Sequence, residues 1–142
     1  MGPVSALTAA DIALLRRPLY GFLTVAGGPD PAQPRPVWYE YADDGTIGLF
    51  TEARSVKVRR LRRDARASLV VTAPVGEREH WVSVAGRVDI HTDGAAELAA
   101  RLAVRYWDLQ DPIRAQELAA MQSVELLRLV IHPDTITRYA MG

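Results

Sequence analysis

Residues 80–92 (HWVSVAGRVDIHT) alternate in character along their whole length. Val82, Val84, Gly86, Val88 and Ile90 fall on one side, and Trp81, Ser83, Ala85, Arg87 and Asp89 on the other. A period of two marks a β-strand with two unlike faces. The aliphatic face is expected inside a barrel, and the face with Trp81 and Arg87 at an interface or a site.

The other segments supply partners for that strand. Residues 19–26 (LYGFLTVA), 36–42 (PVWYEYA), 46–51 (TIGLFT) and 66–73 (RASLVVTA) are rich in aromatic and β-branched residues and read as strands. Asp43-Asp44-Gly45 is a hairpin turn signal between the second and third of them. Residues 27–35 hold two glycines and three prolines and read as a loop. The chain ends on two further strands, 124–131 (VELLRLVI) and 135–139 (TITRY), separated by His132-Pro133-Asp134. Helices are expected at 8–17, where Thr8 caps and Asp11 completes a capping box, within 52–64, from an Asp93 cap to about Tyr106, and at 112–122. Strands joined by hairpins, with short helices at the seams, predict a mainly β (α+β) domain built on a closed antiparallel barrel. All 142 residues read as one domain.

Composition narrows the chemistry. There is no cysteine, which excludes disulfides, thiolate nucleophiles and cysteine-based zinc sites. Basic and acidic residues balance at 17 each, unlike a chain built to grip nucleic acid. No run approaches the ~20 apolar residues that span a bilayer, and no signal segment is visible, so the expected location is the cytoplasm. Of the basic residues only Lys57 is a lysine.

Lys57 lies in the stretch richest in chemistry. Thr51, Arg54, Ser55, Lys57 and Arg60 cluster where a strand ends and a helix begins. A helix N-terminus offers unpaired N–H groups and partial positive charge, and hydroxyls and cations beside it suit a phosphate ester. The same residues also suit a solvated basic helix face, and spacing alone leaves both readings open. RNA is disfavoured, because no stacking aromatics interleave with the charges. His80, His91 and His132 are far apart in the sequence and in no metal-ligand spacing. Trp38, Trp81 and Trp107 suit either the wall of a ring-shaped cofactor or ordinary packing. No catalytic triad, carboxylate pair or metal motif is visible, and no catalytic residue can be named.

LYGFLTVA, PVWYEY, DDGTIGLFT and above all SVKVRRLRRDARASLVV resemble the pyridoxamine 5′-phosphate oxidase-like superfamily of flavin and deazaflavin split barrels. WVSVAGRVDI, Arg105-Tyr106-Trp107 and LLRLVIHPDTITRY are similar to its small actinobacterial members. The resemblance implies an antiparallel split β-barrel, a homodimer with cofactor sites at the subunit interface, and an oxidoreductase using the deazaflavin coenzyme F420, with FMN as the alternative. It implies that Arg54, Ser55, Lys57 and Arg60 hold the cofactor phosphate, that Val37, Trp38 and Tyr39 border the cofactor, and that Thr51 lies beside it. Arg87 and Trp107 follow as candidates for the partner subunit's site. A split-barrel dimer binding haem, a pigment or another ligand without catalysis is the remaining alternative. The loop GGPDPAQPRP departs from the family's Gly-x-Pro turn, and Arg60 stands where deazaflavin members often carry Asn. With no lysine but Lys57 and an ending in RYAMG, the chain lacks the features expected for a pyridoxamine phosphate substrate.

Overall fold

The computed structural model describes residues 2–4 and 6–141. Eight antiparallel strands are β1 (Gly2–Val4), β2 (Gly21–Val25), β3 (Arg35–Val37), β4 (Glu40–Tyr41), β5 (Ile47–Glu52), β6 (Arg66–Thr72), β7 (His80–His91) and β8 (Leu126–Ala140). The helices are α1 (Ala9–Leu15), α2 (Val56–Arg63), α3 (Ala95–Tyr106) and α4 (Pro112–Gln122). Strand order is β3-β2-β6-β7-β8-β5-β4, with β1 pairing the end of β8.

The two edge strands in that order, β3 and β4, are separated in the chain only by Trp38 and Tyr39. The three Cα steps from Val37 to Glu40 span at most about 11 Å. Seven strands laid flat would hold their edges about 28 Å apart. The sheet must therefore curl until its edges almost meet, and the result is a split barrel. This corrects the single strand expected over residues 36–42. Its first part pairs with β2, its last part with β5, and the chain crosses the seam between them.

Inside the curl lie Leu23, Ile47, Leu49, Leu69, Val71, Val82, Val84, Val88, Leu129 and Ile131, all buried. Val82, Val84 and Val88 come from one side of β7, as the alternation requires. Leu14 and Leu15 of α1 and Leu61 of α2 belong to the same core. α3 packs on the outside of the barrel, where Ala95, Ala99 and Leu126 form a second small core with Phe50 against it.

Two further expectations are revised. β8 runs unbroken from Leu126 to Ala140, because Pro133 and Asp134 sit at a bulge rather than a turn. The register against β7 shifts between Ala85 and Gly86 there. A Cβ on Gly86 would lie 1.8 Å from the His132 carbonyl oxygen, so the bulge demands glycine. The N-cap of α3 is Gly94, at φ +81°, not Asp93. Asp93 instead presents its carbonyl to Arg128 Nε at 3.0 Å.

Asp11 carries the capping box expected at α1 and a second duty as well. Its carboxylate is fully buried. It accepts from the Thr8 backbone N–H at 2.9 Å, faces His80 Nε2 at 2.8 Å and accepts from Arg138 Nε at 2.7 Å. One side chain thus fastens α1 to the start of β7 and the end of β8. Burial pushes its pKa up, but the bonds from Arg138, the Thr8 backbone and His80 outweigh that and hold it at about 2, against an ordinary 3.8. A depressed carboxyl pKa contributes stability above the unfolded value and loses it as pH falls through the folded value. Stability measured by denaturant titration should therefore be full above about pH 4 and decline towards pH 2. Asp11→Asn should remove about 3 kcal/mol at pH 7 and flatten that acid limb. Gly86→Ala should cost at least about 2 kcal/mol through the clash with the His132 carbonyl.

Candidate functional site

Two groups of side chains meet on opposite faces of β5. The first surrounds the start of α2. Ser55 is the N-cap, its Oγ accepting from the Val58 N–H at 3.3 Å. Thr51, buried near the end of β5, donates its hydroxyl to the same Oγ at 3.1 Å. Strand end and helix start are thereby fixed together, and the open first turn of α2 follows directly. Arg54 is exposed, and its carbonyl accepts from Arg59 Nη1 at 3.1 Å. Arg60 supports the loop of residues 26–34: a Cβ on Gly27 would stand 2.4 Å from the Arg60 carbonyl oxygen. Arg63 Nη2 donates to the Gly27 carbonyl at 3.1 Å, so the loop lies against the end of α2.

Charge is the distinctive property of this group. Among the described residues, none of Arg54, Lys57, Arg59, Arg60, Arg62 and Arg63 has a carboxylate within ion-pair distance. The nearest acid in sequence, Asp64, is taken by Arg66 at 2.7 Å. Lys57 is half-buried, and burial lowers its pKa from the usual lysine value. A half-buried ammonium with neither ion pair nor hydrogen bond among the described residues is costly unless an anion meets it.

The second group is aromatic. Crossing the barrel seam, Trp38 turns outward and lies parallel to Tyr106 of α3, with ring centroids 5.1 Å apart and planes within 2°. Trp107 meets Trp38 edge-on at 4.6 Å, Phe50 does so at 6.3 Å, and Tyr20 lies 6.1 Å from Tyr106. Arg114 of α4 sits over the Trp107 ring at 4.6 Å. Tyr106 donates its hydroxyl to the Leu19 carbonyl at 2.6 Å, which fixes the stack to the chain entering β2. Burial raises the Tyr106 phenol pKa.

The structure thus brings Thr51, Arg54, Ser55, Lys57 and Arg60 together at one place, and Trp38 and Trp107 at another, with Val37 ending β3 beside Trp38. Tyr39 goes elsewhere. Its ring is fully buried in the barrel core, its hydroxyl has no partner among the described residues, and burial raises its phenol far above the ordinary range. Arg87 stands apart on the open face of β7, paired with Asp89. Sequence reasoning missed Tyr20, Phe50 and Arg114 as members of the aromatic group. The signal for Phe50 is its place beside Thr51 on a strand, which puts the two residues on opposite faces.

A family model described as pyridoxamine 5′-phosphate oxidase matches residues 7–132. Among solved structures, an F420 reductase is similar with a TM-score of 0.74 at 22% identity, covering 92% of this chain and 98% of that one. A conserved hypothetical protein from Mycobacterium tuberculosis is similar at 0.67 and 25% identity, over 95% of this chain and 86% of that one. A FAD-binding protein from Mesorhizobium loti is similar at 0.65 and 18% identity, over 96% of each chain. No curated protein matches the sequence significantly. With most of its length matched by the family model and its fold shared with these structures, the chain belongs to the pyridoxamine 5′-phosphate oxidase family and has its split-barrel fold.

Proposed function

We propose that this protein is a cytoplasmic, homodimeric oxidoreductase that uses coenzyme F420 to reduce an unsaturated or conjugated small molecule. The observation that carries the reading is Lys57, half-buried at the start of α2 with no anionic partner among the described residues. Six cations on and beside one short helix, with no counter-charge among the described residues, favour a ligand with more than one anionic group. That supports the deazaflavin coenzyme, whose tail is long and acidic, over FMN with its single phosphate.

When bound, the coenzyme would supply the hydride. The chain's own residues position and shield. Lys57, Arg54 and Arg60 provide charge for the phosphate-bearing part, and the Ser55-capped turn provides backbone N–H groups. Val37 and Trp38 border the ring region, with Trp38 held in one orientation by Tyr106 and Trp107. Phosphate contacts of this kind add affinity without entering the reaction, so their loss lowers binding more than turnover.

One face of the sheet supports the homodimer reading. The face of the sheet from β2 to the end of β8 carries exposed Phe22 with Val70, Trp81 and Thr137. Two shallow grooves of about 660 and 580 Å³ run along it. In such a dimer Arg87, which lines the first groove, would serve the site of the second subunit.

A fluorescence titration with F420, with FMN as competitor, tests the cofactor directly. Saturable binding in the micromolar range that FMN does not displace is the expected result. FMN binding without F420 binding would transfer the reading to a flavin oxidoreductase. Lys57→Ala should weaken F420 binding by about 1–3 kcal/mol. Lys57→Met should do the same while raising the stability of the ligand-free protein by about 1 kcal/mol, because an uncompensated charge leaves a half-buried position. A monomer in light scattering at micromolar concentration would count against the interfacial site.

A further inference from the structure

A second cluster of cations lies away from α2 and from the open sheet face. The end of α1, the edge strand β4 and the second half of α3 line an open cavity of about 590 Å³. Its lining includes Arg16, Arg101 and Arg105 against only Glu40 and Asp43, with Tyr41 on one wall. The two carboxylates are not equally committed. Glu40 holds Arg101 in a two-pronged pair, Nε to Oε2 at 2.9 Å and Nη2 to Oε1 at 3.1 Å. Such a fork is geometrically specific and persistent. Asp43, in the exposed hairpin turn, meets Arg16 through a single contact of 3.2 Å. Its side chain is fully exposed and that of Arg16 half so, and pairs of this kind are worth little in water.

Arg105 has no carboxylate within ion-pair distance among the described residues. Its Nη2 donates to the Leu15 and Arg17 carbonyls at 3.3 and 2.6 Å, which secures the end of α1. Carbonyls orient the guanidinium but leave its charge uncancelled. Its Nε is buried and has no acceptor among the described residues. That nitrogen is shut off from the cavity, and the guanidinium lies 5.8 and 5.9 Å from the Tyr39 and Tyr106 ring centroids. The cavity therefore combines one excess positive charge and one weakly held guanidinium.

We propose that this cavity is a binding site for a small organic carboxylate, held between Arg16 and Arg105. A single excess charge matches a monoanion better than a doubly charged phosphate. A planar carboxylate fits the fork of a guanidinium, and the Tyr41 ring, already 5.7 Å below the Arg16 guanidinium, offers a flat wall to the organic part. Entry of the ligand would displace Asp43 from Arg16 and leave the Arg101–Glu40 fork intact.

The test is a titration of the full-length protein with sodium benzoate at constant ionic strength, followed through the arginine Nε–H resonances by NMR. The expected result is a saturable shift of the Arg105 resonance with half-saturation in the millimolar range. Arg16→Gln removes only an exposed side chain and is expected to fold like the parent. It should raise the half-saturating concentration about fivefold. An equal shift with sodium chloride, an unchanged titration in Arg16→Gln, or tighter binding of inorganic phosphate than of benzoate would each overturn the proposal. F420 plays no part in this titration, so its outcome stands apart from the coenzyme reading.

Discussion

Two residues decide the shape of this protein. Because Trp38 and Tyr39 alone join the two edges of the main sheet order, the sheet cannot lie open. Consecutive residues in an extended chain point to opposite sides. At the seam, that alternation sends Tyr39 inward and Trp38 outward. Tyr39 fills the barrel interior so closely that a Cβ on Gly21 would stand 3.1 Å from its Cδ1 and 2.6 Å from a Leu69 methyl, which accounts for glycine at the start of β2. Trp38 becomes the centre of the aromatic group that ties β5 and α3 to the seam. Closure of the barrel and the building of the aromatic group are consequences of one crossing.

Local signals in the sequence were legible wherever local physics decided the outcome. The Thr8–Asp11 box, the Asp43-Asp44-Gly45 turn, an amphipathic helix within residues 52–64 and the two faces of β7 all appear where residue pattern places them. The pattern failed where a distant partner decided. Residues 36–42 have uniform β character, and nothing within PVWYEYA reveals that its halves join opposite edges of a sheet. His132-Pro133-Asp134 has the composition of a turn, yet β7 runs alongside without a break and absorbs the irregularity as a bulge at Gly86. At Asp93 a favourable capping side chain lost its place to Gly94, whose positive φ the tight entry to α3 requires.

The candidate site divides in the same way. The cluster from Thr51 to Arg60 spans ten positions of sequence, so its members were bound to be neighbours, and the structure adds that they lack counter-charges. The aromatic group draws Tyr20, Trp38, Phe50, Tyr106 and Trp107 from four separate stretches of the chain. No spacing rule connects them. Tyr39 shows the converse: it adjoins Trp38 in sequence, and yet the extended backbone hands it to the core.

Asp11 and Lys57 show how one physical rule serves two ends. Each carries a charge withdrawn from water. Asp11 receives a guanidinium, a ring nitrogen and a backbone N–H, and its charge becomes a fastening for α1, β7 and β8. Lys57 receives nothing from the described residues, so part of the cost of its burial stays uncompensated. Elsewhere on the surface the chain pairs its charges: Arg17 with Glu77, Arg66 with Asp64, Arg101 with Glu40. A chain with no net charge that pairs these residues gathers six cations without a counter-charge among the described residues on and beside α2. A polyanion arriving there removes a standing penalty in addition to forming new bonds, so its affinity would draw partly on strain the free protein already holds.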